Sequence, residues 1–555
     1  MKKTIRQLIL DIANKAFEDN EFNANAFAEF AIEEPRADAH GDLSTNFAMV
    51  NAKTQKMAPR QIAEILIRYI DNNHPIIEKT EIAGPGFINF FIHPAAWYPV
   101  LNDIYEKDTE YGFSNIGKGQ KIQVEFVSAN PTGPLHVGHG RGAIVGDSAA
   151  SLLSACGYDV HREYYINDAG KQIQTLGLSV FLRCKESDGH RVNFPEDCYQ
   201  GDYIHDIAKT LKEEKGDWIY TVNKDEAVAF CAKFAADRMI IKIRNVLNTL
   251  GIEFDNWYSE QALVDSGKVK SVINKFRDQQ LIYEKDDALW FKTEQFGDEK
   301  DRVVVRNNGQ TTYFASDIAY HQDKLDRGFD RIIDVWGADH HGYIPRIRAS
   351  ITASGKDENQ FSVILTQLVN LLREGVPVSM GKRSGQFITL QEVIDEVGKD
   401  AVRFIFLTRH YESPLDFDLA VAKQKTNDNP VYYVQYVHAR ISSIIKKARN
   451  ENQITDISFD EKSVAMIREP EEIQLIKHLA RYPETLISSA EFMEPHRMAF
   501  YLMDLAADFH AYYNKHRVLT ENSDLTAGRL YLILAVQKVI RNGLTLLGVS
   551  APDAM

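Results

Sequence analysis

The fold is decided by the stretch Ser128-Ala129-Asn130-Pro131-Thr132-Gly133-Pro134-Leu135-His136-Val137-Gly138-His139-Gly140. Just before it, Ile122, Val124 and Phe126 alternate with polar residues, which predicts a strand. Just after it, Arg141–Ala155 has the apolar spacing of a helix. A strand, a glycine-rich turn and a helix form the first unit of a nucleotide-binding α/β fold.

Two imidazoles, His136 and His139, lie three residues apart where the predicted helix begins. A helix N-terminus offers unpaired N–H groups and a positive dipole end, so it attracts phosphate. Gly138 allows a nucleotide to approach the backbone, and the imidazoles can then donate hydrogen bonds to phosphate oxygens as charge develops. The alternatives are a metal-binding pair and a satisfied surface pair. A metal is disfavoured because no HExxH pattern or nearby third ligand accompanies the histidines.

The composition describes an ordinary folded protein rather than a nucleic-acid coat protein. The chain has 555 residues, 44% of them hydrophobic, and a formal net charge of −14. Its length predicts roughly three or four domains. The acidic balance argues against generic phosphate binding, although the last quarter is nearly neutral, so a local basic face could still hold a nucleic acid.

Cellular location is predicted from what the sequence lacks. The longest apolar run, near 530–536, is far shorter than the ~20 residues that span a bilayer, and the N-terminus does not read as a secretion signal. Four cysteines form no close CxxC pair, so neither a structural zinc site nor a disulfide framework is expected. These features predict a cytoplasmic protein that does not bind membranes.

The chain divides into a predicted α/β centre with different folds at each end. Residues 1–112 read as a small α+β domain, because a helix-like opening precedes a turn and an aromatic, β-branched strand. Residues 113–400 read as a Rossmann-like domain with a helical insertion at about 185–260, and residues 401–428 as a connecting segment. Residues 429–555 have helical spacing throughout, which predicts an all-α bundle.

Two further segments carry candidate nucleotide chemistry. In Trp336-Gly337-Ala338-Asp339-His340-His341-Gly342-Tyr343, a Gly-x-Asp at a strand end can place a carboxylate on a ribose hydroxyl. Read alone, it could equally be a turn with a capping Asp339. The second segment is Val378-Ser379-Met380-Gly381-Lys382-Arg383-Ser384-Gly385, a glycine- and serine-rich loop around a lysine. Such a lysine, taken alone, is usually just solvated.

Together these segments resemble the class I aminoacyl-tRNA synthetases, and Val124–Pro134 resembles the arginyl branch in particular. His136 and His139 match the HIGH signature, and residues 378–385 are similar to the KMSKS loop. Lys382 matches the second lysine of that loop, whereas Ser379 and Gly381 depart from its pattern. The resemblance implies a class I synthetase catalytic domain, with three catalytic residues, His136, His139 and Lys382. It also implies that ATP is bound by Gly138, Gly337, Asp339 and Met380.

An arginine substrate requires carboxylates, because guanidinium is planar and permanently charged. Tyr313 and Asp317 are four residues apart, hence on one helical face if the segment is helical. Read alone, Asp317 would most often be a cap or a surface charge. The resemblance implies an arginine site made of Glu125, Asn130, Tyr313, Asp317 and His341. Other segments also agree with the arginyl branch, among them Phe254-Asp255-Asn256-Trp257-Tyr258-Ser259-Glu260.

The resemblance also implies partners. It predicts a tRNA(Arg)-contacting N-terminal domain through Phe87 and Asn89, and an anticodon-binding bundle in which Tyr432 and Tyr436 stack on bases. The aromatic side chains could instead be core residues. The predicted reaction is ATP-dependent conversion of L-arginine to arginyl-adenylate, with Mg²⁺ accompanying ATP, followed by transfer to the 3′-terminal adenosine of the tRNA. A monomer is expected. The rivals are another class I synthetase or nucleotidylyltransferase, and a non-catalytic tRNA-binding paralogue.

Overall fold

The computed structural model describes residues 1–35, 37–70, 74–378, 388–451 and 460–555. The chain forms two compact units. The first comprises residues 1–111, 443–482 and 507–539, and the second comprises residues 112–442, 483–506 and 540–555.

The N-terminal part of the first unit is an α+β fold with an antiparallel sheet. Its elements are α1 (Lys2–Glu18), β1 (Ile32–Glu33), β2 (Leu43–Thr45), α2 (Phe47–Gln55), α3 (Pro59–Arg68), β3 (Ile77–Ala83), β4 (Phe87–Ile92) and α4 (Pro99–Lys107). The strand order is β1-β2-β4-β3. Ile5, Ile9 and Ile12 of α1 are buried, as their helical spacing predicts.

The second unit is built around a parallel sheet. Its elements, in chain order up to the sheet's last strand, are β5 (Lys121–Glu125), α5 (Val137–Ala155), β6 (Asp159–Ile166), α6 (Lys171–Ser187), α7 (Asp202–Lys215), α8 (Lys224–Thr249), β7 (Asn256–Ser259), α9 (Glu260–Asp265), α10 (Lys268–Asp278), β8 (Ile282–Lys285), β9 (Ala288–Phe291), β10 (Arg302–Val305), α11 (Tyr313–Asp326), β11 (Arg331–Gly337), α12 (Ile344–Ala353) and β12 (Phe361–Thr366). The order of the parallel strands is β12-β11-β5-β6-β7.

The second unit also contains two small three-stranded sheets. The run at Arg302–Arg306 is a strand, as its composition suggests, but β10 pairs antiparallel with β9, which pairs with β8. The remaining elements before the helical end are β13 (Val369–Arg373), β14 (Val376–Pro377), α13 (Leu390–Val397), α14 (Lys399–Phe406), β15 (Leu415–Asp418) and α15 (Leu419–Ala422). β13 pairs with both β14 and β15.

Close packing holds α5 against the sheet that it follows. A Cβ atom on Gly146 would lie 2.5 Å from Cγ of Phe126, so only glycine permits this approach. The buried Arg403 donates to Asp147 of α5 at 2.6 Å and to the carbonyls of Leu250 and Leu547. These contacts fix the helix that carries the two imidazoles at its N-terminus.

Helices complete both units. The C-terminal elements are α16 (Pro430–Glu451), α17 (Glu461–Val464), α18 (Pro470–Glu491), α19 (His496–Lys515) and α20 (Ser523–Leu546). None of the helices in the described ranges is long and apolar enough to cross a membrane. The predicted fold class is confirmed: a Rossmann-like α/β domain with a helical insertion, a small α+β N-terminal part and an all-α C-terminal part.

Candidate active site

The candidate site lies at the carboxyl edge of the parallel sheet, where ligands bind in open α/β folds. Glu125 ends β5, Asp168 follows β6, Glu260 follows β7, and Gly337 ends β11. Because parallel strands end at the same edge, the sheet gathers residues that are far apart in the sequence.

The imidazole pair begins α5 and forms its N-terminal cap. His136 is the N-cap residue, and its Nδ1 accepts a hydrogen bond from the Gly138 N–H at 3.1 Å. The His139 Nδ1 accepts from the His136 N–H at 3.3 Å, and the two ring centroids are 3.7 Å apart. Since both Nδ1 atoms accept, the proton of each neutral ring lies on Nε2, where it can donate to an anion.

Glycines make room for this arrangement. A Cβ atom on Gly138 would lie 3.1 Å from the His136 ring, so the absent side chain leaves space for the capping imidazole. A Cβ atom on Gly140 would lie 2.6 Å from Leu390 Cδ1. Thr389 forms an isolated bridge with His136, and the Leu390 N–H donates to the Leu135 carbonyl at 2.8 Å.

The chain that follows residues 379–387 therefore returns to the imidazole pair at Thr389. Met380 and Lys382 fall within 379–387 and lie outside the described residues, so their assigned roles in ATP binding and catalysis stay predictions.

The turn after β5 has an unusual backbone. Val127 and Ser128 have φ values of 69° and 41°, in the left-handed region that β-branched residues rarely adopt. Ser128 Oγ donates to Glu125 Oε1 at 2.7 Å and accepts from the Tyr165 N–H at 3.1 Å. Conformations of this kind persist where surrounding contacts enforce them, and they concentrate at functional sites.

Two neighbouring carboxylates, Asp317 and Glu260, together with Tyr165 form a group that we call the acidic pocket. Asp317 lies one turn into α11 and accepts from the Tyr343 hydroxyl. Burial, together with the nearby Asp317, raises the pKa of Glu260 to about 7, and burial also raises the pKa of Asp317. Glu260 Oε2 and the Tyr165 hydroxyl are buried without a hydrogen-bond partner among the described residues. A planar cation with several N–H donors would satisfy such a pocket.

Glu260 was not predicted as a site residue, although it ends a segment that resembles the arginyl branch. Its neighbour in space, Asp317, was predicted, and the two are 57 positions apart in the chain. The electrostatic influence of Asp317 on Glu260 shows that the two side chains are neighbours in the fold. Tyr165 was also missed, since an aromatic residue in a parallel strand is usually a core residue.

The other predicted arginine ligands differ in their surroundings. Glu125 is buried and accepts from Lys324 Nζ at 2.5 Å, so it faces an internal cation. Tyr313, the first residue of α11, is 49% exposed. Asn130 donates to Gln172 at 2.5 Å. His341 is exposed, beyond the end of β11.

The predicted ribose-binding segment is accessible. Gly337 ends β11, and Asp339 lies in the turn that follows with its side chain 82% exposed. A Cβ atom on Gly337 would lie 2.5 Å from Asp339 Oδ1, so the carboxylate folds back over the glycine. This places an oxygen acceptor at the carboxyl edge, where a ribose hydroxyl could donate to it.

The predicted tRNA contacts show mixed exposure. In β4, Phe87 is 38% exposed, whereas Asn89 is buried at 3% and offers little surface to a partner. In α16, the partly exposed rings of Tyr432 and Tyr436 stack with centroids 5.7 Å apart. The assignment of these four residues to tRNA binding stays a prediction.

A separate cluster, His410, Glu494 and His496, brings together three groups of the kinds that bind metals. The Glu412 N–H donates to His410 Nδ1 at 3.2 Å, which leaves the proton of the neutral ring on Nε2. That Nε2 lies 3.3 Å from Glu494 Oε1 and would be the coordinating atom. Because a metal ligand must be deprotonated, this hydrogen-bond pattern does not favour a metal ion.

Comparisons with known proteins agree with this geometry. Family models match residues 3–92 (arginyl tRNA synthetase N terminal domain), 101–448 (tRNA synthetases class I (R), catalytic domain) and 434–555 (DALR anticodon binding domain). Over the full length of both chains, identity is 59% to an arginine–tRNA ligase of Desulfosudis oleivorans and 53% to one of Citrifermentans bemidjiense. The Thermus thermophilus arginyl-tRNA synthetase structure, 22% identical with full coverage of both chains, has the same fold at a TM-score of 0.74.

Proposed function

This chain belongs to the arginyl-tRNA synthetase family of class I tRNA synthetases, and we propose from that premise how its residues divide the work. It is an arginine–tRNA ligase that activates arginine with ATP and charges tRNA(Arg). The observation that supports the residue assignments best is the acidic pocket of Asp317 and Glu260, which shares a sheet edge with the imidazole pair.

Arginine carries two cationic groups, and the site offers carboxylates for both. Glu125 ends β5 and Glu260 follows β7. Because β6 lies between these two strands, two strand spacings, about 10 Å, separate the two positions. The reacting carboxylate must lie near the imidazole pair, and β5 leads directly into that motif. We therefore assign Glu125 to the α-ammonium group and the pocket of Asp317 and Glu260 to the guanidinium. Tyr313, Asn130 and His341 complete the proposed arginine site.

Activation joins the arginine carboxylate to the α-phosphate of ATP and expels pyrophosphate. Positioning and electrostatic stabilisation provide most of the catalysis in such phosphoryl chemistry. His136 and His139 would donate from Nε2 to phosphate oxygens at the N-terminus of α5, aided by Lys382. Gly138, Gly337, Asp339 and Met380 would hold the nucleotide.

Mg²⁺ is proposed to enter with ATP, because it is usually held by substrate phosphates rather than by a protein cage. In the described part of the chain, no group of three metal-ligating side chains accompanies the imidazole pair. The transfer step is proposed to use the 2′-hydroxyl of the terminal adenosine, and activation is proposed to need bound tRNA.

Further proposals follow from the family. The domains are proposed to be 1–112, 113–400 with an insertion at about 185–260, a connecting segment at 401–428, and 429–555. The tRNA is proposed to contact Phe87 and Asn89 in the first and Tyr432 and Tyr436 in the last. The protein is proposed to act as a cytoplasmic monomer that does not bind membranes or structural zinc.

Amino-acid-dependent exchange of pyrophosphate into ATP tests the proposed specificity. The purified chain is assayed with arginine, lysine, cysteine and glutamine, each with and without total tRNA. Exchange that requires arginine and tRNA is the expected result. Exchange with glutamine or cysteine as the preferred amino acid would contradict a cation-selecting pocket, and binding of tRNA without any exchange would support the non-catalytic rival.

A further inference from the structure

Three buried carboxylates lie side by side across the parallel sheet. Asp334 of β11 is directly opposite Glu125 of β5, which is directly opposite Glu163 of β6. We call these residues the carboxylate row. All three are buried, and buried charges are very costly unless they are paired. The row therefore requires cations from the element that covers it.

Helix α11 and its C-cap residue supply donors at matching intervals. His321, Lys324 and the C-cap residue Arg327, which we call the donor row, are spaced by three residues and so lie along one side of the helix. His321 Nε2 lies 2.9 Å from Asp334 Oδ2, and Lys324 Nζ lies 2.7 Å from Asp334 Oδ1. Lys324 also reaches Glu125 at 2.5 Å, and Arg327 donates twice to Glu163.

Hydrogen bonds join the two rows. His321 Nδ1 donates to the Asp317 carbonyl at 2.8 Å, because a carbonyl oxygen can only accept. Although burial opposes it, Lys324 and His321 lower the pKa of Asp334, so its oxygens also only accept. Lys324 and Arg327 therefore carry the positive charges that face the carboxylate row, and the His321 ring joins Asp334 to the Asp317 carbonyl.

Glu125 receives fewer hydrogen-bond donors than Glu163, the carboxylate beside it in the row. Glu163 receives donors from Arg327, Tyr320, Gln123 and Asn256. Each Glu125 oxygen receives one donor in the described contacts, from Ser128 and from Lys324. A carboxylate oxygen has two acceptor sites, so Glu125 keeps capacity for a substrate ammonium group.

We propose that Lys324 is a positioning residue for arginine, which holds the Glu125 carboxylate in its charged form and in the orientation that receives the α-ammonium group. The proposal rests on the proposed function of Glu125. Lys324 itself is fully buried between Glu125 and Asp334, so it acts through Glu125 and does not touch the substrate.

The surroundings of Glu125 predict the direction of the effect. Burial raises the pKa of Glu125, and Lys324 is the main opposing influence. Without the lysine, Glu125 would take up a proton at a higher pH and lose its attraction for an ammonium group. The titratable groups that face Glu125 are Lys324 and Tyr320 of α11, Asp334 of β11, and Tyr165 and Glu163 of β6.

The test compares K324M, E125Q and the double variant K324M/E125Q in arginine-dependent exchange. For K324M at pH 7 we expect the arginine KM to rise about tenfold or more, since one pKa unit corresponds to tenfold, with the ATP KM nearly unchanged. The acidic limb of kcat/KM for arginine should move upward by about one pH unit or more. The double variant should be no worse than E125Q, because both changes remove the same interaction.

The matched control is K268M. It removes a half-exposed lysine of α10 that pairs with Asp323, a residue on the same helix as Lys324. It should change neither the arginine KM nor the pH profile. If K324M fails to fold, K324M/D334N removes one charge of each sign and should show the same rise in arginine KM.

The outcomes separate the two hypotheses. An unchanged pH profile and arginine KM in the folded variant, or losses that multiply in K324M/E125Q, would overturn the assignment of Lys324 alone. Wild-type protein without arginine-dependent exchange would overturn the proposed function, and the assignment of Lys324 with it.

Discussion

Burial of Glu260 lowers the stability of the folded protein at the place where we propose that the guanidinium group binds. The Glu260 side chain is only 5% exposed, and burial beside Asp317 raises its pKa to about 7. Folded Glu260 therefore keeps its proton to a higher pH than an unfolded glutamate. It destabilises the folded protein increasingly as the pH rises from about 4.5 to about 7. A bound guanidinium would reverse this cost by pairing with the ionised carboxylate.

The substitution E260Q should therefore separate stability from function. At pH 8 and without arginine, we expect E260Q to be more stable than the wild type by roughly 1–3 kcal/mol, and at pH 5 the difference should be clearly smaller. The arginine KM should nevertheless rise. Denaturant unfolding at both pH values measures the first effect. If the difference in unfolding free energy between E260Q and the wild type is the same at both pH values, the pKa of Glu260 is not raised.

At the scale of elements, α5 combines a structural role with a proposed chemical one at its first residue. The His136 side chain caps the helix by accepting from the Gly138 N–H, and a lost cap typically costs about 1 kcal/mol. The same ring is proposed to donate to phosphate from its other nitrogen. Replacement by alanine removes both roles, whereas asparagine is itself a good N-cap.

We expect H136A to lower the melting temperature and to reduce kcat by on the order of a hundredfold. H136N should keep the melting temperature close to that of the wild type while its kcat still falls. Thermal melts and exchange assays on the two variants measure this. An equal loss of stability in both would contradict the capping role, and an undiminished kcat in H136A would contradict the phosphate role.

The sequence predicts elements better than the contacts between them. The apolar spacing of Arg141–Ala155 and the alternation around Val124 predict α5 and β5, because both signals are local. The partners of Glu125 could not be predicted in this way. Lys324 is 199 residues away and meets Glu125 only because β11 pairs with β5 and α11 covers both.

At the scale of the molecule, the chain must serve a small substrate and a macromolecular one. The proposed arginine site lies at a sheet edge, whereas Tyr432 and Tyr436 present partly exposed, stacked rings on α16. Stacking of a base on an aromatic ring is worth about 1–3 kcal/mol. The two sites should therefore respond separately to substitution.

We expect Y432A and Y436A each to raise the KM for tRNA(Arg) by about tenfold or more, while the arginine KM stays near normal. Y432F and Y436F are the matched controls, because phenylalanine keeps the ring. Aminoacylation assays at varied tRNA concentration provide the measurement. If the alanine variants charge tRNA with an unchanged KM, the two rings do not contact the tRNA.

We propose that the acidic pocket at this sheet edge selects arginine by its guanidinium group. The most direct test measures the KM for arginine and for ATP in D317N, with D326N, an exposed carboxylate at the end of the same helix, as the control. Because a hydrogen bond to a charged group contributes about 1.5–3 kcal/mol, the arginine KM of D317N should rise by at least about tenfold while its ATP KM stays near normal. Both constants should stay near normal in D326N. Equal losses for arginine and ATP, or an unchanged arginine KM, would contradict the claim.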